Sequence, residues 1–147
     1  IKPIIKSNLS SLNSILSTGS PLSDDSFKYV YSNIKKDVLL GSISGGTDII
    51  SCFTLSNPIL PVYEGELQCI GLGMNVKSFD TNGASITGQK GELVCISTFP
   101  SMPIYFWNDS KNIKYKRAYF KKYDGVWSHG DFIKIIKLNL RYHPFQK

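Results

Sequence analysis

The pattern of hydrophobic residues changes once along this chain, near Pro58 and Pro61, and that change constrains the fold more than any single motif. Before it, Leu12–Leu16 is a short apolar run ending in Ser17-Thr18-Gly19-Ser20-Pro21, which reads as a strand feeding a turn. Ser23 then stands where a helix N-cap belongs, with Asp24 and Asp25 in the first turn, where carboxylates suit the positive end of the helix dipole. Phe27, Val30, Tyr31 and Ile34 recur at helical spacing, so a helix is expected to end near Asn33–Lys36. Val38-Leu39-Leu40 opens a second, buried strand, and a loop of serines and glycines follows it. Strand, loop, helix, strand, loop makes one α/β unit whose two loops leave strand ends on the same side.

Beyond the two prolines the runs shorten. Glu66–Ile70, Met74–Phe79, Glu92–Ser97 and Val126–Ser128 with Asp131–Ile136 are strand candidates, separated by Gly71, Gly73, Asp80-Thr81-Asn82-Gly83, Gly88 and Gly91. Asn82-Gly83 is a strong hairpin signal, and a turn every ten residues or so suggests a small barrel or sandwich. One helix, about Asn112–Lys122, is expected within this half. The chain therefore reads as mixed α/β: an α/β unit over 1–57, a small antiparallel β-barrel-like subdomain over 58–135, and a divergent tail over 136–147.

With 147 residues, 41% of them hydrophobic and 19% charged, the chain is long and apolar enough for a real core and too ordinary for a disordered tail. No stretch approaches the roughly 20 apolar residues that a membrane span needs. Cys52, Cys69 and Cys95 each sit in an apolar run without a CxxC, which fits small buried hydrophobes in a reducing cytoplasm better than a metal cluster. Of 17 basic residues, Lys111, Lys114, Lys116, Arg117, Lys121 and Lys122 fall in one stretch, interleaved with Tyr115, Tyr119, Phe120 and Tyr123. One reading is a nucleic-acid patch or an anion-attracting surface. The favoured one is a solvated helix whose aromatic stripe faces a core. Trp107 and Trp127 read as packing residues.

The stretch Ser42-Ile43-Ser44-Gly45-Gly46-Thr47-Asp48 has few side chains to pack. Its glycines let backbone approach a ligand, and a hydroxyl beside a carboxylate suits a phosphate with its Mg²⁺. Alone this is weak, because a Gly-Gly pair more often marks a simple turn. The company it keeps is more specific. Leu16-Ser17-Thr18-Gly19-Ser20-Pro21-Leu22 and Leu40 through Ile49, Pro61-Val62-Tyr63-Glu64-Gly65-Glu66-Leu67-Gln68, Gly88-Gln89-Lys90-Gly91-Glu92-Leu93-Val94-Cys95, Phe99-Pro100-Ser101-Met102-Pro103 and Trp127-Ser128-His129-Gly130-Asp131-Phe132 stand in one order. Over about residues 1–135 that order and spacing resemble the acetoacetyl-CoA synthetases among the adenylate-forming acyl-CoA ligases.

The resemblance implies part of the large N-terminal domain of an enzyme that joins ATP and a short acid into an acyl-adenylate and passes the acyl group to CoA. It implies that Gly19, Ser20 and Pro21 border the adenine, that Ser42, Ile43, Ser44, Gly45, Gly46 and Thr47 run along the nucleotide, with Thr47 on the α-phosphate, and that Asp131 takes the ribose hydroxyls. Ser44 and Gly45 would wall the acyl pocket and Asp48 would help hold Mg²⁺. Acetyl-CoA synthetases carry a Trp at the place of Gly45, so Gly45→Trp is expected to shift the intact enzyme toward acetate.

His129 reads as a positioned strand-end histidine, with a general base as the other reading, and His143 lies in the tail. The start, Ile1–Lys6, shows neither an initiator Met nor a secretory leader, and Ile133–Lys147 holds no Gly-Arg-Ser-Asp-like hinge, Arg141 included. The expectation is a piece of such a ligase with no catalytic residue of its own, no bound cofactor and little or no turnover. Small-molecule substrates are its expected partners, with self-association through surfaces that would otherwise face other domains. No membrane or nucleic-acid partner is expected. The competing reading is a non-catalytic nucleotide- or nucleic-acid-binding module built on Lys111–Lys122.

Overall fold

The computed structural model describes residues 2–136 and 141–145. A short helix α1 (Pro3–Lys6) leads to strand β1 (Ser14–Ser17), helix α2 (Asp24–Tyr29) and strand β2 (Leu39–Ser42). Ser23 caps α2, accepting the backbone N–H of Ser26 at 3.3 Å. The helical segment ends at Ile34, within the expected Asn33–Lys36, but its last turn from Val30 to Ile34 widens into a π-helix. β1 and β2 pair in parallel, Ser14 opposite Leu39 through Ser17 opposite Ser42. Phe27, Val30, Val38 and Leu40 form the buried core of this unit, each apolar side chain contributing about 1.5–3 kcal/mol by leaving water.

The serine–glycine stretch is not the open loop its composition suggests. Strand β3 (Ser44–Gly46) pairs antiparallel with β4 (Ser51–Leu55), and a 3₁₀ turn over Thr47–Ile49 joins them through Ile50 at φ 47°. β4 pairs in turn with β5 (Cys69–Ile70), so a three-stranded sheet straddles the two prolines. Strands β6 (Val76–Phe79), β7 (Ser85–Ile86), β8 (Lys90–Cys95), β9 (Trp127–Ile136) and β10 (Arg141–Phe145) form an antiparallel five-stranded sheet in the order β10-β9-β8-β6-β7. Among the described residues this sheet is open and closes no barrel. The turn between β6 and β7 carries the expected Asn82-Gly83, with Gly83 at φ 81° and Asp80 accepting the backbone N–H groups of Asn82 and Ala84.

Helix α3 (Ile113–Tyr119) is shorter than Asn112–Lys122. Its aromatic stripe packs inward, with Tyr115, Tyr119 and Phe120 all against Trp127. Tyr123 leaves the stripe, meets Phe79 edge-on and donates to the carbonyl of Asp80. Phe53, Leu93, Phe99, Trp127 and Ile133 complete this second core. Trp107, expected to pack, is 83% exposed. The expected divergent tail is strand β10 over Arg141–Phe145, with Lys137–Leu140, Gln146 and Lys147 outside the described residues. No helix among the described residues is long and apolar enough to cross a membrane.

Candidate functional site

Parallel pairing of β1 and β2 sends two chain segments out of the same edge. Gly19-Ser20-Pro21 follows β1, and Ser42 ends β2, where the N–H of Ile43 donates to the carbonyl of Ser17 at 2.9 Å. Loops at the carboxyl ends of parallel strands are where α/β folds place ligands. The chain then turns into β3, so Ser44, Gly45 and Gly46 continue the same wall.

The opposite wall comes from β9. Its register against β8 slips: Glu92 faces Phe132 and Val94 faces Ser128, so β9 takes four steps where β8 takes two. Three residues, His129-Gly130-Asp131, therefore stand opposite Leu93 alone, and Gly130 adopts φ 94°, a conformation glycine tolerates and other residues resist. The bulge explains why the sequence pattern breaks between Val126–Ser128 and Asp131–Ile136, and it re-aims side chains as bulges beside functional sites do.

Between the walls lies a cavity of about 460 Å³. It is lined by Gly19, Ser20, Pro21, Ser42, Ile43, Ser44, Gly45, Gly46, Thr47 and Asp131, which are the residues expected to border a nucleotide. Sequence reasoning missed further lining residues, among them Thr18, Ile50, Cys52, Leu67 and Phe132. Each belongs to an apolar run or a turn with no pattern of its own. The described lining offers hydroxyls, backbone and the Asp131 carboxylate, and no lysine or arginine. Burial pushes the Cys52 thiol up from its ordinary range, which keeps it protonated and poorly nucleophilic at neutral pH.

Asp48 is not part of this lining. Its carboxylate accepts a hydrogen bond from the phenol of Tyr119. No cluster of three or more His, Cys, Asp or Glu able to hold a metal occurs among the described residues. A single exposed carboxylate still fits Mg²⁺, which keeps much of its water and is held by one or two carboxylates together with substrate phosphates. Gly45 is a point of close approach: a Cβ there would lie 2.3 Å from the carbonyl oxygen of Ser51 and 2.8 Å from Cα of Cys52. A bulky residue at this place therefore needs β3 to move off β4, which the sequence alone does not reveal. His129 stands behind the glycines, its Nε2 3.1 Å from the Gly45 carbonyl oxygen.

No protein-family model matches the chain. Its sequence is 54% identical over 135 residues to the acetoacetyl-CoA synthetase of Gallus gallus, an alignment covering 92% of this chain and 20% of that protein. It is 57% identical over 125 residues to the acetoacetyl-coenzyme A synthetase of Rhizobium meliloti (strain 1021), covering 85% and 19%. The solved acetoacetyl-CoA synthetase from Streptomyces lividans matches 98% of this chain with 23% of its own, at a TM-score of 0.88 and 40% identity. An anthranilate CoA ligase solved in complex with anthranoyl-AMP shares the fold, with a TM-score of 0.76 at 18% identity over 100% of this chain and 26% of its own. The chain thus spans about a fifth of the length of the curated relatives it matches.

Proposed function

We propose that this chain, which is homologous over 135 residues to acetoacetyl-CoA synthetases, forms the nucleotide and acyl wall of an ATP-dependent acid–CoA ligase. The observation that carries the reading is the convergence of Gly19-Ser20-Pro21, Ser42–Thr47 and Asp131, from three separate parts of the sequence, on one cavity. In the proposed reaction a carboxylate attacks the α-phosphorus of ATP and expels pyrophosphate, and the thiol of CoA then displaces AMP from the acyl-adenylate. The contribution of these residues is to bind and orient, since holding reactants in line lowers the entropic part of the barrier.

Each role suits the residue. Asp131 accepts hydrogen bonds from two ribose hydroxyls, and hydrogen bonds to a charged group are worth about 1.5–3 kcal/mol each. The Thr47 hydroxyl meets the α-phosphate, Gly19-Ser20-Pro21 borders the adenine, and Ser44 with Gly45 walls the acid. Asp48 would hold Mg²⁺, which when bound neutralises phosphate charge. With no cation in the described lining, the isolated 147 residues are proposed to bind nucleotide weakly and not to turn over. Three free cysteines support a cytoplasmic setting, and exposed Ile50, Leu72 and Trp107 support self-association of the isolated chain.

Calorimetric titration of AMP into the chain tests the reading. Binding that Asp131→Ala weakens at least tenfold supports it. AMP binding unaffected by Asp131→Ala, or salt-dependent RNA binding lost on replacing Lys114, Lys116 and Arg117, overturns it in favour of the module built on the basic stretch.

A further inference from the structure

We infer that His129 is a positioning residue that ties the glycine strand to the Asp131 bulge and so sets the distance between the two walls of the cavity. This rests on the functional reading above and adds a residue outside the cavity lining. Three contacts fix the imidazole. Nε2 lies 3.1 Å from the carbonyl oxygen of Gly45, which can only accept a hydrogen bond from it. The ring meets Phe53 edge-on at 4.8 Å between centroids. Cε1 occupies the space behind Gly46, where a Cβ would come within 2.8 Å of it. The side chain is only 13% exposed.

These contacts also fix which nitrogen carries the proton. Nδ1 is buried with no hydrogen-bond partner among the described residues, so a proton there would have no acceptor, whereas one on Nε2 has Gly45. Asp131 Oδ2 stands 3.7 Å from the same Nε2, beyond hydrogen-bond length. The Nε2 proton is thereby committed to Gly45, and Asp131, with 43% of its side chain exposed, keeps its oxygens for a ligand. His129 acts through these two residues: it holds the carbonyl of the proposed acyl wall at a set distance from the carboxylate of the proposed ribose site.

Packing alone predicts different behaviour from hydrogen-bonded positioning, and two variants separate them. His129→Phe keeps a ring against Phe53 and loses the donor. His129→Gln loses the ring and keeps an amide N–H at similar reach. The readouts are amide hydrogen exchange over residues 43–47 in the free chain, the AMP dissociation constant, and the melting temperature of each variant. The expected result is exchange over 43–47 faster by about tenfold in His129→Phe, with AMP binding weakened by a similar factor, the size of losing one hydrogen bond. His129→Gln should stay close to wild type in both. Exchange unchanged in His129→Phe but raised in His129→Gln overturns the inference and leaves a packing residue. If the exchange pattern holds while the wild-type chain binds no AMP, the positioning role stands and the nucleotide reading falls.

Discussion

Tyr119 joins two parts of the molecule that the sequence separates by 71 residues: its phenol donates to the carboxylate of Asp48, while its ring stacks on Trp127 at 3.7 Å and 13°. Burial, then the bond to Asp48 and the charge of Asp48, push the Tyr119 phenol well above its ordinary range. A raised value in the folded state means stability that is complete at neutral pH and lost only as pH rises through the strongly alkaline range. The bond fixes a carboxylate that otherwise sits exposed on a 3₁₀ turn.

Tyr119→Phe keeps the stacked ring and frees Asp48. The expected cost is about 1 kcal/mol of unfolding free energy, read from urea melts, because a partly solvated hydrogen bond contributes about that much. If Asp48 holds Mg²⁺, the gain in ATP affinity on adding Mg²⁺ should fall several-fold in the same variant. An unchanged response to Mg²⁺ would separate Asp48 from the metal.

Gly45 gives a second prediction. A methyl group there meets the Ser51 carbonyl at 2.3 Å, a backbone atom that yields only if β3 shifts. Gly45→Ala should cost about 1–3 kcal/mol, the usual range for overpacking, and move the β3 amide resonances in NMR spectra. Gly45→Trp should move β3 by the same route, so the shift toward acetate expected in the intact enzyme would come together with that displacement. A stable Gly45→Trp chain with β3 shifts unchanged would mean that the strand has more slack than its contacts allow.

The parts of the fold legible in the sequence are those written as local pattern. Phe27 and Val30 at helical spacing behind Ser23 specify a capped amphipathic helix, and Asn82-Gly83 marks a hairpin because Gly83 turns the chain in the left-handed region, at φ 81°. The aromatic stripe of α3 announced its buried face for the same reason. β3 was illegible: Ser44-Gly45-Gly46 has no alternation to read, and only pairing with β4 makes it a strand. The residues carried by the resemblance, Asp48 apart, meet in one cavity although they come from three separate stretches of the chain. Tyr119 and His129 were not legible as partners of Asp48 and Gly45, since a hydrogen bond across 71 or 84 residues leaves no periodic trace.

The basic stretch is less free than its composition suggests. Lys122 Nζ lies 2.6 Å from Glu92, whose side chain is 2% exposed and also accepts from Ser128 Oγ at 2.9 Å. Lys122→Met strands a buried carboxylate and should destabilise by about 2–4 kcal/mol, somewhat below a fully buried pair because Lys122 is itself half exposed. Glu92→Gln in the same chain should recover part of the loss. Full additivity of the two changes in denaturant melts would show that the pair is not coupled.

Asp109 supplies the acid-side counterpart to Tyr119. Burial opposes its ionisation, but the backbone N–H groups of Tyr115, Lys114 and Ile113, with the charge of Lys114, outweigh that and hold its carboxyl below the usual range. The bond to Tyr115 N is 2.9 Å long and anchors the first turn of α3, which otherwise begins at Asn112 without a side-chain cap. A depressed value means that the unfolded chain binds the proton more readily. The contribution is present above the ordinary carboxylate value of about 3.9 and fades as pH falls through the lower folded value. The melting temperature of wild type should therefore drop between pH 5 and the acid limit by more than that of Asp109→Asn, with α3 amides losing exchange protection first. Parallel curves for the two proteins would show that the carboxylate does not anchor the helix, and the inward face that Tyr115 and Tyr119 present to Trp127 would then have to be held by packing alone.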